Sequence, residues 1–209
     1  MTGLYPNDRG SSGMEVRTNY PPDISQDDIK LLDLRSFAGK ITVVNDIHVL
    51  RRAVHYLEGA RLLGFDTETR PSFRKGKKNK VSLLQLSDGD NAFLFRINRT
   101  GIPDELKKIL SNDSIIKTGV AIHDDLKALA GISGFKPAGF IDLQKFVKDY
   151  GIESSGLKKL TAIVLGFRIS KNQQVTDWEA DELSEPQVVY AATDAWVCFE
   201  IYRKLTNHI

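Results

Sequence analysis

The stretch GFDTETRPSFRKGKKNKVSLLQL, residues 64–86, sets two carboxylates beside a strongly basic segment. The residues LLGFDTET and VSLLQLS on either side of that segment are typical of β-strands. Asp66 and Glu68 are two positions apart, so on a strand their side chains lie on one face. Two carboxylates near a core strand repel each other, and a divalent cation removes that repulsion. Exposed acids at a strand end are the commoner interpretation of this spacing alone.

The basic segment concentrates the positive charge of the chain. Residues 70–80 contain six basic and no acidic residues, so the rest of the chain carries −4 although the whole carries +2. Such a patch favours an anionic partner, with phosphate backbones the usual candidate, whereas a solvated loop is the alternative. The basic residues are Arg70, Arg74, Lys75, Lys77, Lys78 and Lys80.

The remaining composition is that of a soluble globular protein. With 209 residues, of which 41% are hydrophobic and 27% charged, the chain is long enough for one domain with a sizeable core. No apolar run reaches the roughly 18 residues of a membrane helix, and the N-terminus lacks an apolar signal segment. The single Cys198 cannot form an internal disulfide. We expect a cytoplasmic protein with a disordered or loosely attached segment over residues 1–24 and one domain over residues 25–209.

The order of predicted elements indicates an α/β protein. Strands and a hairpin come first, then helices and strands alternate, and helices dominate the end. This order predicts a three-layer fold with a mixed five- to six-stranded sheet and helices on both faces. The predicted helices include DIHVLRRAVHYLEGARLL, IPDELKKIL, DDLKALA, FIDLQKFVKDYG, GLKKLTAIVLG and SEPQVVYAATDAWVCFEIYRKL.

Further acids occur where strands meet helices. VAIHDDLKAL places Asp124 and Asp125 at a strand-to-helix junction, where one of them can cap the helix. Tyr190 and Asp194 are four residues apart, which places them on one face of a helix. The small residues around them allow close approach to a sheet, which would bring Asp194 near the strand that carries Asp66. A hydrogen-bonded core aspartate beside a packed tyrosine is the alternative interpretation.

Three motifs together resemble a known family. F-D-T-E-T, D-L-K-A-L from residue 125 and Y-A-A-T-D over residues 190–194 resemble the motifs of DEDDy-type 3′-5′ exonucleases. The resemblance runs from about residue 45 to 205 and is greatest to the Werner-syndrome-type exonuclease domain and ribonuclease D. It implies a ribonuclease H-like fold, two divalent cations, Mg²⁺ or Mn²⁺, and a DNA or RNA substrate with a free 3′ end.

The resemblance also implies roles for five residues. Asp66 would bridge two cations, and Glu68 and Asp194 would complete the ligands of the first. Asp125 would support the second cation, directly or through water. Tyr190 would orient the attacking water, because an unperturbed tyrosine is a poor base at neutral pH.

Other residues carry weaker expectations. The resemblance leaves Asp124 as the expected helix cap. His123 and Lys171 are candidate substrate contacts, although an ordinary strand-end histidine is the commoner interpretation of His123. The basic residues of segment 70–80 are expected to guide the phosphate backbone. A nucleic-acid-binding module with little catalysis and an endonuclease of similar architecture are the alternatives. The sequence does not distinguish DNA from RNA and gives no indication of the oligomeric state.

Overall fold

A computed structural model describes residues 20–70 and 80–207. Within these ranges lie six strands: β1 Lys40–Val44, β2 Leu62–Thr69, β3 Val81–Ser87, β4 Asn91–Arg96, β5 Ile116–Gly119 and β6 Phe140–Asp142. The α-helices are α1 Gln26–Leu31, α2 Ile47–Leu57, α3 Ile97–Thr100, α4 Asp104–Leu110, α5 His123–Ser133, α6 Leu143–Phe146, α7 Leu157–Leu160 and α8 Glu185–Thr206. A 3₁₀ turn, Val147–Tyr150, follows α6, and a π-helical turn, Thr161–Leu165, follows α7.

The six strands form one mixed sheet in the order β1-β4-β3-β2-β5-β6. β2, β3 and β4 pair antiparallel, while β1, β5 and β6 join their neighbours in parallel. The predicted mixed sheet of five to six strands is therefore confirmed. β2 lies inside the sheet between β3 and β5, so the strand that carries Asp66 is held on both sides.

Helices cover both faces of the sheet, as predicted. Leu63 and Phe65 of β2 pack in the core beneath α2, α4 and α5. Alternate residues of β2 face the other way, toward α8. The α8 side of the core is apolar along Leu83 and Leu94 and is filled from the helix by small side chains such as Ala191. The sheet thus separates two cores, and the acids of β2 belong to the α8 side.

Gly64 sets the distance between β2 and α8. A Cβ atom at this position would lie 1.8 Å from the carbonyl oxygen of Ala195 and 2.7 Å from the backbone nitrogen of Phe199. Only a residue without a side chain allows this backbone approach. Gly64 is two residues from Asp66 on the strand, and Ala195 directly follows Asp194 on the helix. The contact between Gly64 and Ala195 therefore brings Asp194 close to Asp66.

Two predicted helices require correction. The helix predicted from residue 46 to 63 begins after its cap Asp46 and ends at Leu57, because residues 62 and 63 already belong to β2 and pair with β5. The segment FIDLQKFVKDYG begins as strand β6, since Phe140 pairs with Lys117 and extends the sheet at its edge. Its helical part starts only at α6, where the Asp142 side chain accepts a hydrogen bond from the backbone N–H of Gln144 at 3.0 Å.

The capping of α1 and α5 differs. Ser25, the N-cap of α1, accepts a hydrogen bond from the backbone N–H of Asp28 at 3.0 Å. The N-cap of α5 is instead Ile122, with no side-chain capping bond. The prediction that Asp124 caps this helix is therefore wrong, because α5 starts two residues earlier than such a cap requires and places Asp124 inside its first turn.

The domain boundary at residue 24 stays a prediction, since residues 1–19 lie outside the described ranges. The described residues 20–24 contact the domain: the carbonyl oxygen of Pro22 accepts hydrogen bonds from the backbone N–H groups of Glu153 and Ser154 at 2.8 and 3.1 Å. Lys159 pairs with Asp23 at 2.6 Å. Across the described ranges, no helix is both long and apolar enough to span a membrane.

Candidate active site

Three of the predicted acids meet where β2 faces α8. Asp66 and Glu68 project from the second half of β2, and Asp194 projects from the middle of α8. One carboxylate oxygen from each lies within 4.8 Å of the others. Asp66 and Glu68 are half-buried, and Asp194 is only 6% exposed. Oxygen ligands this close are the donor set that hard divalent cations such as Mg²⁺ prefer, so the residues fit the expected metal.

Burial and mutual repulsion make these carboxylates hard to ionise without a cation. Burial, followed by the charge of Asp194, raises the pKa of Asp66 well above its usual value. The pKa of Glu68 rises to about 10, first through burial and then through the charges of Asp66 and Asp194. Burial raises the pKa of Asp194 to about 7. The metal-free site therefore holds protons at neutral pH, and a bound dication would replace them.

Tyr190 lies one helical turn before Asp194, as predicted, and hydrogen-bonds to it. Burial and then the charges of Asp194 and Glu68 raise the pKa of the Tyr190 phenol above its usual value. Its ring lies 6.1 Å from that of Trp178, which is fully buried, so Trp178 packs behind the site. The phenol stays neutral at physiological pH and can orient a neighbouring group without acting as a base.

Asp125 reaches the site from the opposite face of the sheet. It is not part of the close set of three carboxylates, and the Thr67 hydroxyl donates a hydrogen bond to its carboxylate at 2.6 Å. Thr67 points away from α8 because neighbouring strand residues alternate. Asp125 still acts electrostatically on the site, since its charge raises the pKa of Asp66 and Glu68. The sequence did not indicate Thr67, because the strand pattern assigns it only a face.

The acids line a cleft of about 360 Å³ whose wall is partly basic. Lys158, at the start of α7, and Lys171 both line it. Neither lysine forms an ion pair with another described residue, although the charge of Lys171 lowers the pKa of Asp194 against the effect of burial. Lys158 was missed by the sequence analysis, because the run GLKKL indicates only a helix. Gln144, Ser170 and Gln174 add further polar side chains to the wall.

The segment that carries Lys171, residues 166–184, is fastened to the sheet. Arg96, which is buried in β4, donates hydrogen bonds to the carbonyl oxygens of Ala180 and Asp181 at 2.5 and 3.4 Å. The Ser82 hydroxyl of β3 donates to the Glu179 carboxylate at 3.2 Å. The segment that forms one wall of the cleft is therefore held against the sheet by hydrogen bonds from buried side chains.

The structure locates some of the predicted substrate contacts at the cleft and others away from it. Lys171 lies at the cleft, whereas His123 is exposed at the start of α5 and is absent from the residues that line it. Arg70 and Lys80 are exposed at the two ends of the basic segment, and Arg70 pairs with Glu179 at 3.4 Å. The predictions for Arg74, Lys75, Lys77 and Lys78 lie outside the described residues.

Comparison with known proteins agrees with this geometry. The sequence profile of a family described as 3′-5′ exonuclease matches residues 41–209. The chain is 33% identical over 180 residues to the exonuclease 3′-5′ domain-containing protein 2 of Drosophila melanogaster, covering 81% of this chain and 30% of that protein. It is 33% identical over 157 residues to the bifunctional 3′-5′ exonuclease/ATP-dependent helicase WRN of Mus musculus, covering 72% of this chain and 11% of that protein. The chain thus spans a third or less of these relatives.

Solved structures show the same fold. The structure of Escherichia coli RNase D, an exoribonuclease involved in structured RNA processing, superposes with a TM-score of 0.73. The two sequences are 27% identical, and the match covers 80% of this chain and 44% of that one. The expected ribonuclease H-like fold is confirmed, with the three carboxylates on its central strand and on the long helix that crosses it.

Proposed function

Because the chain belongs to the 3′-5′ exonuclease family, we propose that it removes nucleotides from the 3′ end of DNA or RNA by metal-dependent hydrolysis. The observation that carries the proposal is the convergence of Asp66, Glu68 and Asp194 within 4.8 Å in a cleft that two lysines also line. In such a cleft the acids would bind cations, and the lysines would attract the phosphate oxygens of a phosphodiester.

Two divalent cations, Mg²⁺ or Mn²⁺, are the proposed cofactors. Asp66, Glu68 and Asp194 would hold one cation between β2 and α8, and Asp125 would support the second with Asp66. When bound, such cations lower the pKa of water and stabilise charge on phosphate oxygens. Thr67 supports this arrangement, since its hydroxyl holds the Asp125 carboxylate at the end of β2 before any cation arrives.

Tyr190 would position the attacking water. Its pKa lies above the usual value, so the phenol keeps its proton and cannot serve as general base at neutral pH. It can instead hold a water by one hydrogen bond while Asp194 fixes the phenol. This role needs only geometry, and the buried ring of Trp178 behind Tyr190 supplies the rigidity.

The lysines would hold the substrate backbone. Lys158 and Lys171 line the cleft from two separate segments, so phosphates on either side of the scissile bond can each meet a cation. The basic segment 70–80 would extend the positive surface beyond the cleft, a proposal that rests on its charge alone. The similar Escherichia coli RNase D is an exoribonuclease, which makes RNA a substrate to compare directly with DNA.

The test is cleavage of matched DNA and RNA oligonucleotides labelled at the 5′ end. Stepwise shortening that stops with EDTA or a blocked 3′ end is expected, and Asp66→Asn should abolish it. Asp90→Asn, an exposed acid in the turn between β3 and β4, is the matched control and should act like the parent protein. Binding without cleavage by the parent protein would favour a nucleic-acid-binding module, and cutting of circular single strands would favour an endonuclease.

A further inference from the structure

The side-chain amide of Gln85 is buried, and no described residue forms a hydrogen bond with it. It lies in the middle of β3 with 0% of its surface exposed. Neither its Oε1 nor its Nε2 atom has a hydrogen-bond partner among the described residues. A buried polar group in this state destabilises a fold, and such groups in proteins usually have a partner or a function.

Of the two residues that pair directly with Gln85, one is polar. Gln85 pairs across the sheet with Leu94 on β4 and with Asp66 on β2. Directly paired residues place their side chains on the same face, with Cβ atoms about 5 Å apart. On that face Leu83 and Ala191 add only apolar surface. The carboxylate of Asp66 is therefore a polar group directly beside Gln85 on the same face of the sheet.

Asp66 also has acceptor capacity to spare. The hydrogen bond that shifts its pKa comes from the backbone N–H of Thr67, and no described side chain donates to it. An ionised carboxylate offers two oxygens and accepts about four hydrogen bonds. Carboxylates that bind metal ions are themselves held by hydrogen bonds from neighbouring groups, which fix their orientation.

We propose that Gln85 is a positioning residue for Asp66, donating a hydrogen bond from Nε2 to the carboxylate when Asp66 binds a cation. The inference rests on the proposed function, because it assumes that Asp66 is a metal ligand. Gln85 cannot reach the substrate, since it is fully buried beneath α8. The buried amide would then destabilise the protein without a cation, because the hydrogen bond to Asp66 forms only when the cation is bound.

The test uses Gln85→Met, which keeps the length of the side chain and removes the amide. The metal-free variant should melt at the same temperature as the parent or higher, because an unsatisfied buried group is gone. Titration with Mn²⁺ alone, followed by calorimetry, should show a dissociation constant raised about tenfold. Gln85→Leu serves as a second variant if the methionine does not fold.

Thr118→Val is the matched control. Thr118 is equally buried on β5, the other neighbour of β2, but its hydroxyl donates to the carbonyl oxygen of Cys198 at 3.0 Å. Removing this satisfied group should lower the melting temperature and leave Mn²⁺ affinity unchanged. If Gln85→Met behaves in the same way as Thr118→Val, Gln85 is merely structural and the inference is overturned.

Asp66→Asn separates the inference from the proposed function. If that variant still binds Mn²⁺ as tightly as the parent, Asp66 is not a ligand and the proposed function itself fails. If Asp66→Asn loses Mn²⁺ while Gln85→Met binds it normally, only the inference about Gln85 is overturned. Loss of affinity in both variants, with metal-free stability retained in Gln85→Met, supports both.

Discussion

Replacing Asp194 by asparagine should stabilise the metal-free protein while abolishing its nuclease activity. Burial raises the pKa of Asp194 from 3.8 to about 7, so the folded protein binds a proton that the unfolded chain has released. The contribution of Asp194 to stability therefore falls as the pH rises from about 4 and levels off above about 7. Asparagine has no charge to gain, so the variant should lack this part of the fall.

The size of the effect follows from the shift. A rise of about 3 pKa units at about 1.4 kcal/mol per unit makes the variant more stable by on the order of 4 kcal/mol at pH 8. At pH 5, where the shift acts over little more than one unit, the advantage shrinks to about 2 kcal/mol. For a chain of this length a difference of 4 kcal/mol raises the melting temperature by roughly 10 °C.

The measurement is thermal unfolding in EDTA at several pH values between 5 and 8, for the parent protein and Asp194→Asn. Addition of Mn²⁺ should raise the melting temperature of the parent at pH 8 and raise that of the variant much less, since ligand binding stabilises only the form that binds. A metal-free parent whose stability is constant or increases between pH 5 and 8 would refute the reasoning. So would an asparagine variant that is less stable than the parent at pH 8.

Three other substitutions test separate parts of the site. Gly64→Ala should lower the free energy of unfolding by about 2 kcal/mol or more, because the added Cβ would clash with the α8 backbone. Gly131→Ala is the control, because a Cβ at that position meets no atom within 4 Å. Equal melting temperatures of the two variants would contradict the packing argument. Tyr190→Phe should reduce kcat by about 100-fold and leave Mn²⁺ affinity within a factor of two, because only water positioning is lost; a matching loss of metal affinity would count against that role. Lys158→Ala should raise KM and reduce the salt dependence of substrate binding by about one charge. Lys159→Ala is the control, because the Lys159 side chain pairs with Asp23, and it should leave the salt dependence unchanged. An unchanged salt dependence for Lys158→Ala would show that Lys158 does not contact the substrate.

The close set of acids was predictable because it depends on local spacing. Asp66 and Glu68 share a face on any strand, and Tyr190 shares a face with Asp194 on any helix. The small residues of α8 indicated its close approach to the sheet, which the contact at Gly64 confirms. Each of these predictions needs only the geometry of one element and one rule about packing.

The rest of the site depends on contacts between distant parts of the chain. The hydrogen bond from Thr67 to Asp125 joins residues 58 positions apart, and no local pattern indicates it. Lys158 lines the cleft because of the way α7 packs against α8. From the sequence alone, its run of lysines indicates only a polar helix face. Strand β6 has three residues, too few for a period-two pattern, and only its pairing with β5 distinguishes it from the helix that follows.

The contact at Gly64 has a consequence for ion size. Asp66 and Asp194 stand on different elements, and the distance between those elements is fixed by backbone atoms that already touch. The two carboxylates can turn, but the strand and helix that carry them have no side chain between them to shorten or lengthen. Ca²⁺ takes longer bonds and more ligands than Mg²⁺, so ions of different size need different spacings of the two carboxylates. The contact at Gly64 excludes any closer approach of the two elements, so under the proposed function the smallest ion that both carboxylates can hold would be set by a residue that binds nothing.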